Sequence, residues 1–71
     1  MYLNHINYFS EVSDMYHNIR EVAERFGVAP STIWRWVKDD FFPKPYKFGL
    51  GTTRWRDEDI RAFEAKSATR S

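Results

Sequence analysis

The stretch from Asn18 to Lys38, NIREVAERFGVAPSTIWRWVK, constrains this chain more than any other part of it. It holds two short runs of helical periodicity. In the first, Ile19, Val22, Ala23 and Phe26 share one stripe, with Arg20, Glu21, Glu24 and Arg25 on the other side. Asn18 followed by Glu21 has the spacing of a capping box, with Asn in the place of Ser or Thr. Gly27 stands where the apolar period stops, and glycine readily takes the left-handed conformation that ends a helix. Val28 is then expected to fold back onto the core.

The second run opens at Pro30, a residue suited to the first helical position because its missing N–H is not needed there. Ala29 is a weak cap, which leaves Ser31 to help satisfy the helix start. Ile33, Trp36 and Val37 fall at i, i+3 and i+4 and form a buried face. Ser31, Thr32, Trp34, Arg35 and Lys38 are left on the outer side. Asp39 and Asp40 end the run, and Phe41 and Phe42 return the chain to the core. Two amphipathic helices joined by so short a turn form a helix-turn-helix.

Seventy-one residues allow one domain. A chain of this size buries only about 60–65% of its unfolded surface. Aromatic residues offset this: they make up 18% of the chain, and each large ring buries about 150–250 Å². Without cysteine, neither a disulfide nor a thiolate zinc site is available. No run approaches the ~18 apolar residues of a membrane span. The first ten residues lack a signal-peptide layout. The expectation is a cytoplasmic protein with no membrane partner.

After the helix-turn-helix comes PKPYKFGLGTTRWR. Pro43 and Pro45 disfavour helix and suit an edge strand or its start. Tyr46–Phe48 and Thr53–Arg56 read as two short strands around a Gly49-Leu50-Gly51 turn. Alternation is expected to put Phe48 and Trp55 on the inner face, with Lys47, Arg54 and Arg56 outward. Asp57 is expected to cap a last helix, with Glu58 and Asp59 in its first turn and Ile60 and Phe63 pointing inward. From Ala65 the chain reads as a polar tail. Residues 1–16 carry Leu3, Ile6, Phe9, Val12 and Met15/Tyr16 at near-helical spacing, with Ser10 able to cap a short helix; the segment is open to packing on the domain, pairing with a second subunit, or a frayed end. The organisation is a 1–17 extension, an 18–66 winged helix-turn-helix domain and a 67–71 tail. Its fold class is mainly α, with three short helices and a two-stranded hairpin.

Charge is distributed unevenly. Residues 1–29 hold two arginines against four carboxylates, a net −2. Residues 30–56 hold six cations (Arg35, Lys38, Lys44, Lys47, Arg54 and Arg56) against two aspartates, a net +4. A concentrated basic stretch is what a phosphate-binding face requires. A solvated basic surface would have the same composition.

A helix-turn-helix places its second helix in the DNA major groove, with its N-terminal residues at base edges. Ser31, Thr32 and Arg35 fit that task, since Arg reads guanine bidentately and Ser and Thr contact base or phosphate. Lys38 and Trp34 suit phosphate or sugar contact, though Trp34 serves equally well as core. In the hairpin, Thr52, Thr53 and Arg54 are the expected contacts to backbone or minor groove, with Lys47 and Arg56 as flanking cations. The glycines on either side of Leu50 explain themselves as turn residues. His5 and His17 stand alone, and no nucleophile–base pair can be assembled. Helix initiation accounts for the carboxylates of DEDI better than a metal site does. No phosphate-cradling glycine loop or zinc spacing is present, so neither an enzyme nor a cofactor is expected.

The order GVAPSTIWRW, then FPKPYKFG, then TTRWR, then DEDI resembles the AlpA-like phage regulators. It is also similar to the small excisionases, or recombination directionality factors, of the MerR-like winged-helix superfamily. The likeness covers about residues 18–66. It implies a DNA-binding protein of a prophage or integrative island. Such proteins bind several short duplex sites, bend the DNA, direct a tyrosine integrase towards excision, and often regulate the integrase gene. It implies recognition-helix contacts at Ser31, Thr32 and Arg35 and wing contacts at Thr52, Thr53 and Arg54. Ala29 departs from the usual Ser or Thr cap. A two-fold dimer and a cooperative array of monomers on DNA stay open, as does a plain transcriptional regulator located with the bacterial nucleoid. A protein-interaction module is the reading from a different class.

Overall fold

The computed structural model describes residues 15–69. The apolar pattern of the N-terminal segment, where a short helix was one expectation, lies outside the described residues up to position 14. The described elements run β1 (Tyr16–His17), α1 (Ile19–Phe26), α2 (Pro30–Lys38), β2 (Tyr46–Lys47), β3 (Thr53–Arg56) and α3 (Asp57–Ser67).

α1 begins as its sequence dictates. The Asn18 side chain accepts from the Glu21 N–H, and the Glu21 carboxylate accepts from the Asn18 N–H, both at 2.8 Å. It ends on Gly27 at φ 66°. There the Val28 N–H bonds the Ala23 carbonyl at 3.0 Å and the Gly27 N–H bonds that of Glu24 at 3.1 Å. This is the crossed pair of a Schellman turn. The same device closes α2 without a glycine. Asp40 takes φ 59°, and the Phe41 and Asp40 N–H groups bond the carbonyls of Trp36 and Val37 at 2.8 and 3.1 Å. Aspartate tolerates this conformation better than most residues. The start of α2 differs from expectation: Ala29 is the N-cap and no side chain caps it, Ser31 included.

The core is one cluster: Val22 and Ala23 of α1, Ile33 of α2, Phe42, Trp55 of β3 and Ile60 of α3. Phe42 is its aromatic hub, 4.7 Å from Phe63 and 5.6 Å from Phe26 between ring centroids. The edge-on geometry of both pairs is the one aromatic quadrupoles favour. Phe41, also expected to turn inward, is 53% exposed. Only one of two adjacent residues can face the core here, and Phe42 takes the place.

The expected two-stranded hairpin is part of a three-stranded antiparallel sheet ordered β1-β3-β2. β1, placed with the N-terminal extension in the sequence reading, pairs Tyr16 with Arg56 and His17 with Trp55. β2 pairs Tyr46 with Arg54 and Lys47 with Thr53. This register corrects the facing of the hairpin, because residues directly opposed point to the same side. Phe48 and Tyr46 therefore lie with Thr52, Arg54 and Arg56, on the side away from Trp55. Phe48 is 48% exposed and packs edge-on against Tyr16 at 5.3 Å. Lys47 shares the Trp55 side instead, so the cations of the hairpin are divided between its two faces.

α3 runs to Ser67, past the expected start of a polar tail at Ala65. Asp57 does not cap it. Arg56 is the N-cap and makes no capping side-chain bond. The Asp57 carboxylate is turned to other partners.

Candidate nucleic-acid interface

Those partners sort the cations of the chain into two sets. Asp57 accepts from His17 Nε2 at 2.8 Å and from Arg25 Nη1 at 3.2 Å through one oxygen, and from Arg61 Nε at 2.8 Å through the other. Arg25 also makes a two-pronged pair with Glu64, at 2.9 and 2.8 Å. Arg56 meets Glu58 at 2.6 Å and lies over the Tyr46 ring, 5.7 Å from its centroid. The hydrogen bond from His17, aided by the nearby arginines, holds the Asp57 carboxyl below its usual range. The bond from Arg25 does the same for Glu64, and that from Arg56 for Glu58. Arg25, Arg56 and Arg61 are thus neutralised locally, and they tie α1, β3 and α3 together.

Arg35, Lys38, Lys44, Lys47 and Arg54 make no salt bridge among the described residues. Arg35 and Lys38 lie on α2, Lys47 and Arg54 on the hairpin, and Lys44 on the segment between them. Arg20 and Lys66 are likewise unpaired there, but sit outside that stretch. An unpaired cation can accept a phosphate without first giving up a carboxylate.

On α2, Ser31, Trp34, Arg35 and Lys38 are exposed and Thr32 is half-buried. Ser31, Arg35 and Lys38 recur at i, i+4 and i+7, which makes one stripe. At 1.5 Å per residue it is about 10 Å long, comparable with a major groove about 12 Å wide. Trp34 lies outside the core cluster but against one of its members. It is 42% exposed and its ring stands 5.3 Å from that of Trp55. That contact fixes the angle between α2 and the hairpin. From the other side the Trp55 Nε1–H donates to the Pro43 carbonyl at 2.7 Å and anchors the segment leading into β2.

The hairpin brings Lys47 and Thr53 to the sheet face that meets α2, and Thr52, Arg54 and Arg56 to the opposite face. Arg54 Nη1 donates to the Thr53 carbonyl at 2.8 Å, which keeps its guanidinium close to the strand. Of the ten expected contact residues, nine lie on α2 and the hairpin with no carboxylate partner among the described residues, three of them on the α2 stripe. Arg56 is the exception, since Glu58 occupies it. Lys44, absent from the expected contacts, joins the set: it is exposed between two prolines at the root of the hairpin. Its place in the basic stretch was the signal for it. His17, read as a lone histidine, is an internal partner of Asp57. Among the described residues no group of His, Asp and Glu is placed to hold a metal ion. No helix among them is long and apolar enough to cross a membrane.

A family model described as a homeodomain-like domain matches residues 11–39, less than half of the chain. The matched segment includes both helices of the helix-turn-helix and stops before the hairpin. Over it the chain is similar to small helix-turn-helix DNA-binding domains. No curated protein and no solved structure matches the chain.

Proposed function

We propose that the chain binds duplex DNA sequence-specifically, with the Ser31–Lys38 stripe in the major groove and the hairpin over the adjacent minor groove. The observation that carries this reading is the partition of charge. Arg25, Arg56 and Arg61 are paired with carboxylates, while five of the seven unpaired cations among the described residues lie on α2, on the hairpin or on the segment between them. Cations on both faces of the hairpin match the two phosphate rails that border a minor groove.

Within that class we favour an excisionase: a protein that bends attachment-site DNA so that a tyrosine integrase works towards excision, and that also regulates the integrase gene. The support is the sequence likeness around FPKPYKFG and TTRWR. A transcriptional regulator without a recombination role makes the same contacts. The test is footprinting on DNA flanking the gene, followed by a salt titration. An array of short direct repeats supports the excisionase, and a single palindrome supports a dimeric regulator. Five phosphate contacts give a log–log slope of affinity against salt of about −4.5. A flat salt response, or no shift of DNA at low salt, would sink the DNA reading in favour of a protein-interaction module.

A further inference from the structure

The tip of the hairpin is built in a way that DNA binding through charge does not require. Leu50 is 103% exposed, more open than any other large apolar residue described. It stands between Gly49 at φ 76° and Gly51 at φ 75°. The loop is closed by the Phe48 N–H donating to the Thr52 carbonyl at 2.8 Å. Leu50 therefore contributes nothing to the core, and the turn is held in shape without it. A lone exposed leucine is ordinary on a protein surface. At the apex of a glycine turn, Asn, Asp or Ser is the usual occupant because their side chains bond the turn backbone. Leucine there gives up that bond and hydration for no gain within the chain.

We infer that Leu50 is a wedge that enters the minor groove and unstacks a base step, so that the bound duplex is kinked at the hairpin. The inference rests on the DNA-binding reading and adds to it the residue that performs the bend. Apolar side chains such as Leu and Phe are the ones minor-groove proteins insert between base steps, opening the minor groove and kinking the duplex towards the major groove. The dimensions require a narrow tip. Two strands are about 4.8 Å apart between backbones, and a minor groove is only about 6 Å wide. The hairpin cannot enter whole, but its apex can. Open space surrounds the position a Cβ would take at each glycine, so the leucine stands clear of its neighbours. Lys47 and Arg54, unpaired and on opposite faces behind the tip, are placed to meet the phosphates on the two sides of the opened minor groove. The unstacking cost of a few kcal/mol per step is returned by the contacts a bent duplex makes with the hairpin.

The experiment uses the full chain and a duplex carrying the site mapped by footprinting. End-to-end energy transfer reports the bend, and 2-aminopurine placed at successive steps under the hairpin reports unstacking. The wild-type chain should bend the duplex within the range of about 20–90° seen for such wedges, with 2-aminopurine fluorescence rising at one step. Leu50→Ser should keep the footprint but lose the fluorescence rise, and its bend should collapse towards that of free DNA. Leu50→Phe should keep both. The variants fold, since the side chain touches nothing in the core. Wild-type bending by Leu50→Ser, or no fluorescence rise at any step with the wild-type chain, overturns the wedge while leaving DNA binding intact. An unchanged bend at a single site, coupled to lost cooperativity between adjacent sites, also overturns it and makes Leu50 a contact between copies. Failure of the wild-type chain to bind any duplex removes the underlying reading instead.

Discussion

Replacing Trp55 with Phe tests whether the hairpin and the recognition helix are held together as described. Trp55 is fully buried, and its indole N–H bonds the Pro43 carbonyl at 2.7 Å. Phenylalanine keeps an aromatic ring but has no donor. The orphaned carbonyl costs about 1–2 kcal/mol, the lower part of the usual range because Pro43 is only half-buried. The smaller ring leaves a void of roughly 35–40 Å³, worth about 1 kcal/mol at ~24 cal/mol per Å³. The total is about 2–3 kcal/mol. For a domain this small, that lowers Tm by about 8–20 °C. The intact chain holds about 4–10 kcal/mol at typical stability per residue. Trp55→Phe therefore remains folded in the cold. Trp55→Ala loses about 3–5 kcal/mol for the ring alone, which unfolds the chain if the intact stability lies in the lower half of its range. Urea and thermal unfolding followed by far-ultraviolet circular dichroism give both numbers. A loss below about 0.5 kcal/mol for Trp55→Phe would refute the anchoring role of the indole bond. Undiminished stability with lost DNA binding would move Trp55 from the scaffold to the interface.

Arg35→Ala should weaken binding to the mapped site by about 1–3 kcal/mol if the guanidinium reads a base; equal losses on specific and random duplexes in a gel shift would reduce it to a phosphate contact. Arg54→Ala should lower the magnitude of the salt slope by about 0.9, and an unchanged slope would remove it from the interface. Gly27→Ala meets no steric obstacle but must hold φ 66°, so unfolding should show a cost of about 1–2 kcal/mol from conformation alone; a neutral result would mean that the turn relaxes. Asp57 and Glu64 titrate below their usual range in the fold, so their contribution is full above the unfolded carboxylate range near pH 4 and is lost as pH falls through the lower folded values. Asp57→Asn should be less stable at pH 7 and lose less between pH 5 and 3, as read from urea midpoints; an unaltered pH slope would show that Asp57 is not the linked group.

The helix-turn-helix was legible because each signal in it is local. Asn18, Glu21, Gly27 and Pro30 act on backbone groups within five residues, and the buried side of each helix follows from period alone. The hairpin was legible as two strands and a turn, but not in its facing. Register depends on which residues bond across the turn, and a shift of one residue exchanges the faces. That is how Phe48 came to be assigned to the side of Trp55. The third strand lacked a readable signal, since two residues carry no periodicity. The role of Asp57 was hidden for a related reason: an aspartate before a helical run satisfies the rule for a cap, whereas its partners His17 and Arg25 lie 40 and 32 residues away.

The same long-range pairing makes the interface visible. In the sequence the basic stretch 30–56 counts six cations of equal standing. Folding separates them by what lies opposite. Arg56 comes against Glu58 at the start of α3, while Arg35 and Lys38 of α2 and Lys47 and Arg54 of the hairpin pair with no carboxylate among the described residues. A solvated basic surface would have no reason to divide in this way, because screened surface charges contribute little wherever they stand. The carboxylates of α3 lock α1, β3 and α3 into one frame, and the cations of α2 and the hairpin stay unpaired beside it. A groove-reading protein needs that rigidity, since a base contact is specific only if the helix that carries it is held at a fixed angle to the phosphate contacts. On the proposed reading, the Trp34–Trp55 contact supplies that angle between Arg35 on α2 and Arg54 on the hairpin.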